Sequence, residues 1–282
     1  MKGIGKSIGI LVMLFLPLTG CEEEPAAFFF HESADRRQEE SMTLRPAFAE
    51  VTFPDTIPLH LAAFSDVHIT KENKNLLDAF AREIAPRHID LLVVAGDLTD
   101  HGLAEEYRLV RDDLYRLGIP WYATIGNHDM YQKNGWENWK NFIGPSCYTV
   151  RPSSLLRIFF LDTSTGSLGA RQFSWLEEQL TKCKEQYKIV VTHYPLYDDP
   201  FPSIYRLPDH EERYKLLSLF RRYNVDVFIS GHLHTFQHRR LGELDHFIVG
   251  SMYPGRLDKG EHAFLMLTVS SRGISWEKVP LP

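Results

Sequence analysis

Seven side chains of metal-ligating type stand just past the ends of short apolar runs in this 282-residue chain. Asp66 and His68 follow residues 59–64, Asp97 follows 90–95, Asn127 follows 121–125, His193 follows 188–192, and His232 and His234 follow 225–230. A single zinc usually takes three or four protein ligands, so two carboxylates, one amide and four imidazoles suit two metals sharing a bridging carboxylate. Nitrogen-rich ligation mixed with hard oxygens fits divalent or trivalent Mn, Fe, Zn or Co rather than Mg or Ca. Two such cations leave a positive pocket that attracts phosphate, and a water between them ionises near neutral pH to give a nucleophile. His128 adjoins Asn127 and, in an extended segment, projects to the other side, where it can protonate a leaving oxygen with Asp129 orienting it.

Groups placed this way require a sheet whose strands end together, because ligands of parallel α/β sheets sit outside the carboxyl ends of the strands. The pattern supplies one. A strand ending at Ser65, a helix over 74–87, a strand over 90–95, a helix over 103–117 and a strand over 120–125 read as β-α-β units. Asp100 and Gly102 suit the start of the second helix, where a carboxylate caps free amides. Residues 131–143 read as a loop with a short helix, followed by strands near 147–150 and 155–162 and a helix over 170–184. Pro195, Pro200 and Pro202 make the segment after His193 a loop. A helix over 209–223 precedes the run ending in Gly231, and the last four strands, near 236–241, 246–250, 264–269 and 274–278, read as antiparallel hairpins. The fold class is α/β, with mixed sheets flanked by helices.

Net charge is −6 and the basic residues are scattered, so no nucleic-acid duplex is expected as a partner. Lys2 and Lys6 precede an apolar run over 8–16 that is too short to span a bilayer, the order of a targeting segment. Leu18-Thr19-Gly20-Cys21 resembles the bacterial lipobox. That resemblance implies a signal peptide over 1–20, lipidation of Cys21, a tether over 21–57 and a domain over 58–282, held extracytoplasmically at a membrane by its lipid anchor. Cys147 and Cys183 are the remaining cysteines, with pairing between them left open. His31, His60, His88, His101, His210, His238, His246 and His262 fall outside the blocks and read as surface or hydrogen-bonded histidines.

The ordered blocks Asp-x-His, Gly-Asp, Gly-Asn-His-Asp, His and Gly-His-x-His, between residues 59 and 235, resemble the signature of the calcineurin-like metallophosphoesterases. The resemblance implies a four-layer α/β/β/α sandwich with a dimetal centre at the strand ends. It implies Asp66, His68 and His234 as ligands of one ion, Asn127, His193 and His232 as ligands of the other, and Asp97 as the bridge. Residues 96–102 are similar to the class III cyclic-nucleotide phosphodiesterase branch. Asp100 stands where purple acid phosphatases carry an iron-binding tyrosine, and Tyr194 stands where the phosphodiesterase branch often carries a second histidine. The expected activity is hydrolysis of a phosphodiester or phosphomonoester on a small substrate. The competing expectation is a surface module that keeps the metals, recognises a phosphorylated ligand and turns it over weakly.

Overall fold

The computed structural model describes residues 32–44, 57–72, 76–197, 205–254 and 262–282. The signal segment, Cys21, most of the expected tether and the centre of the proline-rich loop, Phe201 included, lie outside the described residues. Among the described residues no helix is long and apolar enough to cross a membrane.

Two sheets pack face to face. The first has the order β11-β10-β1-β2-β3, built from β1 (Leu59–Phe64), β2 (Leu91–Ala95), β3 (Trp121–Thr124), β10 (Ala263–Ser270) and β11 (Gly273–Pro280). The second has the order β4-β5-β6-β7-β9-β8, built from β4 (Tyr148–Ser153), β5 (Leu156–Phe160), β6 (Tyr187–Val191), β7 (Val227–Ser230), β8 (Gln237–Leu241) and β9 (Leu244–Ile248). β1, β2 and β3 are mutually parallel, as are β5, β6, β7 and β9. Strand alternation sorts the side chains. Leu59, Leu61, Ala63, Leu91 and Val93 meet Ile158, Phe160, Ile189, Val191 and Ile229 between the sheets.

The outer faces need covering, and five of the described helices do so in amphipathic fashion. Ala62, Phe64, Leu92 and Val94 pack under α2 (Leu77–Ile84), α3 (Ala104–Arg116) and α4 (Gly135–Phe142). Phe159, Val190 and Phe228 pack under α5 (Gly169–Lys182) and α6 (His210–Arg222). The result is the four-layer α/β/β/α sandwich. Cys147, buried, and Cys183 lie in this second outer layer as free thiols.

Three expectations need correction. The last four strands form the expected antiparallel hairpins, β8–β9 and β10–β11, but not as neighbours: β9 lies parallel to β7 in the second sheet, while β10 and β11 cross to the first. The cause is the β8–β9 hairpin, which carries β8 to the sheet edge and returns β9 to β7 in the direction of β7 itself. Asp100 does not cap α3; Glu106 reaches back to the amides of His101 (2.9 Å) and Leu103 (3.2 Å) instead. The expected tether also contains folded chain, the helix α1 (Ala34–Ser41) capped by Ser33.

α1 docks through polar groups rather than an apolar face. Arg37 is fully buried and forks onto Asp162, with Nε–Oδ2 at 2.7 Å and Nη2–Oδ1 at 3.0 Å. Glu40 accepts from Trp136 Nε1 (2.8 Å) and Lys140 Nζ (2.6 Å) on α4, and Asp35 accepts from the amide of Arg171 (2.8 Å) on α5. A planar guanidinium in this bidentate geometry repays part of its desolvation, but removing it strands a carboxylate out of water. Arg37→Ala should lower the unfolding free energy by about 3–5 kcal/mol, read as a shift of the urea midpoint at constant slope.

Candidate metal centre

The site sits where the two sheets present their strand ends to one another. The segment after β1 runs alongside the segment after β2: the amide of Asp66 donates to Gly96 O (3.0 Å), and those of Val67 and His68 to Asp97 O (2.8 and 3.1 Å). From the second sheet, the amide of Gly231 donates to His193 O (3.0 Å), and the amide of His232 crosses to Asp66 Oδ2 (3.0 Å). Five of the seven candidate ligands, Asp66, His68, Asp97, His232 and His234, have positive φ between 45° and 73°. Such backbone costs a non-glycine residue on the order of 1–3 kcal/mol and persists where the surroundings enforce it. Two glycines make the approach possible: a Cβ on Gly126 would stand 2.0 Å from Asp97 Oδ1, and one on Gly96 would stand 2.4 Å from His193 Nδ1.

All seven candidates converge. His68 Nε2 lies 3.1 Å from His234 Nε2, and Asp66 Oδ1 lies 3.3 Å from His234 Nε2 and 3.8 Å from His68 Nε2. On the other side His193 Nε2 lies 3.0 Å from Asn127 Oδ1 and 3.2 Å from His232 Nδ1. Asp97 Oδ2 faces both groups, 3.2 Å from His193 Nε2 and 3.6 Å from His68 Nε2. Several of the remaining polar atoms are turned away and occupied, whereas His234 Nδ1 is buried without a hydrogen-bond partner. His68 Nδ1 donates to Asp100 Oδ1 (3.0 Å), His193 Nδ1 to Ala95 O (2.8 Å), and Asp97 Oδ1 accepts from the His128 amide (2.9 Å). Each Nδ1 bond fixes the tautomer that aims an Nε2 lone pair inward.

Electrostatics explain what such a cluster requires. Asp66 and Asp97 are buried, which opposes ionisation, yet the facing histidines hold both carboxyls well below their ordinary range. Burial likewise works against a charged His68, but Asp100, Asp66 and Asp97 raise it to about 10; Asp97 and Asp66 raise His193 to about 9. Burial and the neighbouring His193 push His232 down to about 3. Protons therefore occupy the well when nothing else does, and a divalent cation competes for the same negative potential.

The donor set fits metals. With ligands about 2.0–2.2 Å from an ion, tetrahedral or octahedral geometry puts neighbouring ligand atoms about 2.9–3.5 Å apart; the separations within the two halves are 3.0–3.3 Å except for 3.8 Å between Asp66 Oδ1 and His68 Nε2. Asp66 Oδ1 is buried with no hydrogen-bond partner, as expected of a lone pair reserved for a cation. Asp66, His68 and His234 form one group of metal-ligating atoms and Asp97, His193 and His232 another, while His68 also groups with Asp100 and His128.

His128 and Asp129 lie beside this cluster but not as adjacency suggests. The segment after Asn127 is a 3-10 turn, His128–Met130, not an extended strand, so strand alternation does not govern it. The turn drives Asp129 inward, where its carboxylate accepts from the amides of Leu98 (3.3 Å), Thr99 (3.0 Å) and Gly126 (2.9 Å) and from Thr99 Oγ1 (2.8 Å). Asp129 therefore fastens the Gly96 and Gly126 segments together and does not orient His128. Burial and the charge of Asp97 push its carboxyl up to about 6 against those four donors. Asp100 takes the orienting place: His128 Nδ1 lies 2.9 Å from Asp100 O and 3.4 Å from Asp100 Oδ1. Burial opposes its charge, but hydrogen bonds from His128 and His68 keep Asp100 ionised.

Sequence reasoning did not find Asp100 as a site residue. Its signal was its place three residues after Asp97, in a turn too tight to leave the site. Aromatic rings complete the rim. Tyr131 Oη lies 2.9 Å from His128 Nε2, Tyr194 packs 4.1 Å from the His232 ring centroid, and Tyr253 packs 5.5 Å from that of His68.

Residues 59–236 match the profile described as Calcineurin-like phosphoesterase. The chain belongs to that family. Its similarity to a probable glycerophosphodiester phosphodiesterase of Arcobacter nitrofigilis is 30% identity over 118 residues, 38% of this chain and 42% of that protein. Its similarity to a probable cyclic nucleotide phosphodiesterase of Fibrobacter succinogenes is 26% over 190 residues, 63% of this chain and 73% of that one. The chain thus spans under half of the first relative. The fold is shared with the purple acid phosphatase of yellow lupin seeds, at TM-score 0.65 and 15% identity over 80% of this chain and 52% of that one.

Because His68 and His193 hold protons at neutral pH without metal, loading must expel them. Calorimetric titration of the metal-free protein at pH 7, in buffers of different ionisation enthalpy, should reveal release of roughly two protons per chain on saturation.

Proposed function

We propose that this chain hydrolyses phosphoric esters, phosphodiesters foremost, at a two-metal centre. The observation that carries the reading is Asp97: one carboxylate oxygen faces both ligand groups, as a bridge between two ions must. The resemblance of the chain to two proteins named as phosphodiesterases supports the diester preference. In this reading Asp66, His68 and His234 hold one ion, Asn127, His193 and His232 the other, and Asp97 both. The nitrogen-rich donors favour Mn, Fe, Zn or Co. When bound, such ions polarise phosphoryl oxygens and make a coordinated water acidic enough to attack at neutral pH.

The chain's own groups do the rest. Asp66 and Asp97, both buried, fix a site whose positive charge is spent on a phosphate rather than on solvent. Asp100 orients two imidazoles at once, turning the Nε2 of His68 to its ion and holding Nδ1 of His128. With Nδ1 committed to the Asp100 carbonyl, Nε2 is the atom from which His128 hands a proton to the departing alkoxide. Tyr131, hydrogen-bonded to that Nε2, keeps the imidazole in plane until substrate takes its place. The reading also includes export and anchoring: cleavage before Cys21 and its lipidation would hold the domain extracytoplasmically at a membrane, on the support of the lipobox-like tetrapeptide and the short apolar run before it.

The Mn-loaded protein should hydrolyse a chromogenic bis-nitrophenyl phosphate and lose that activity on chelation; an inert, fully loaded sample would sink the reading. General acid catalysis is typically worth about 10²–10⁴-fold. His128→Ala should therefore slow an alkyl ester by that order yet slow a nitrophenyl ester only modestly, with metal content unchanged by elemental analysis. For the anchor, the parent chain expressed in a bacterium should sediment with membranes, and Cys21→Ala should abolish acylation of the mature N-terminus by mass spectrometry.

A further inference from the structure

α1 connects to the metal centre by an unbroken line of buried polar contacts. Arg37 donates to Asp162, and its Nη2 also donates to Ser164 Oγ (3.2 Å) and Thr165 Oγ1 (3.1 Å). Asp162 Oδ1 in turn accepts from the amide and hydroxyl of Ser164 (3.1 and 2.7 Å). The turn over residues 162–165 is thereby held on one side by the guanidinium and on the other by Gln172, whose Oε1 accepts from the Asp162 amide (2.9 Å) and whose Nε2 donates to Asp162 O (2.9 Å). Inside that turn stands Thr163, fully buried, whose hydroxyl oxygen accepts from the backbone amides of His193 (3.2 Å) and Tyr194 (3.0 Å). His193 is the ligand nearest to Asp97, and Tyr194 packs on His232.

The same helix holds the opposite wall. Glu40 is bonded to Trp136 and Lys140 on α4, the helix that follows the Asn127–His128 turn, while Ser41 Oγ accepts from the Ser146 amide (3.0 Å). Asn127 comes from the first sheet and His193 from the second, and their ligand atoms must stand about 3 Å apart to share an ion. α1 contacts both sides, through α4 on one flank and through the 162–165 turn and α5 on the other, alongside the cross-sheet bonds from Thr124 Oγ1 to Leu161 O and from Tyr148 Oη to Ala123 O.

We infer that Arg37 is a positioning residue for the metal centre: it locks the 162–165 turn, whose Thr163 hydroxyl holds the backbone of His193, and so sets the geometry of the Asn127–His193–His232 half. The inference rests on the two-metal reading of the site. Its consequence is selective. The hydrogen bonds that Thr163 accepts go to the His193 and Tyr194 amides, whereas Asp66 is held by the Gly96 and His232 segments, so the Asp66–His68–His234 half should keep its ligand geometry when the turn is released. The segment carrying Arg37 precedes the catalytic strands and follows Cys21, which makes the stretch next to the expected anchor part of the metal site's scaffold rather than a passive leash.

Stepwise loading of the full chain with Co²⁺, followed by its visible absorption bands and by calorimetry, tests this without reference to turnover. The parent should bind two ions; if it binds fewer, the two-metal reading fails and the present inference with it. Thr163→Val removes only the last link and keeps the shape of the side chain. It should weaken one of the two ions by about 10–100-fold, the usual effect of losing support behind a ligand, and leave the other within about twofold. Arg37→Ala should show the same one-ion loss, and Arg37→Lys should not restore it, since an ammonium cannot fork onto Asp162 while reaching Ser164 and Thr165. Leu176→Ala, a core truncation on α5 outside the line of contacts, provides the control for lost stability alone and should bind both ions like the parent. If Arg37→Ala does not fold, Thr163→Val decides. Two unaltered affinities in Thr163→Val, or equal loss of both ions, would overturn the assignment while leaving the two-metal reading intact.

Discussion

Two carboxylates buried within a few ångströms of each other constrain everything else in this molecule. Asp66 and Asp97 lie out of water, and charges so placed cost several kcal/mol each unless cations answer them. The chain answers with imidazoles, of which His68 and His193 have Nδ1 committed to Asp100 and Ala95, so that Nε2 faces the carboxylates, where a proton or a metal ion can sit. Left-handed backbone at five ligand positions and close glycine packing at Gly96 and Gly126 are the local strain accepted to bring the groups together. The two stacked sheets supply the rigidity that makes such strain sustainable, because strands buried on both faces have nowhere to relax.

The division of labour between the sheets follows from that constraint. The first sheet delivers Asp66, His68, Asp97 and Asn127; the second delivers His193, His232 and His234. Neither half can close a two-ion site alone. The crossing contact from the His232 amide to Asp66 Oδ2 fixes the register of the halves at the site itself, and α1 fixes it at the rim. Asp129 acts within the first sheet, joining the segments that carry Asp97 and Asn127 by four hydrogen bonds.

The strand ends were legible in the sequence because their signal is redundant. Five apolar runs each end in a ligand-type residue, and burial of runs such as Leu91–Ala95 on both faces leaves little else they can be. What stayed hidden was decided by competition between polar groups. Asp100 has the sequence context of a helix cap, but Glu106 can reach the same amides, which releases Asp100 to His68 and His128. α1 has no apolar stripe to detect, since its buried residues are Ala34, Arg37, Gln38 and Ser41, and its dock is made of ion pairs whose partners lie about a hundred residues away. The parallel pairing of β9 with β7 depends on a hairpin excursion that strand propensity does not encode.

Asp129 shows how far a neighbour in sequence can be from a neighbour in function. Had residues 127–130 been extended, His128 and Asp129 would alternate across a strand and their pairing would be a matter of loop shape. The 3-10 turn instead sends the two side chains into different environments, His128 to the open side under Asp100 and Tyr131, Asp129 into the protein beneath Asp97. There its carboxyl is pushed up to about 6 by burial and by the charge of Asp97, against the pull of its four donors. Cations held by Asp97 would offset that repulsion. The charge proposed to bind phosphate would thereby also steady the bonds between Asp129 and the segments of Leu98, Thr99 and Gly126, so that ligand geometry and metal occupancy would reinforce each other.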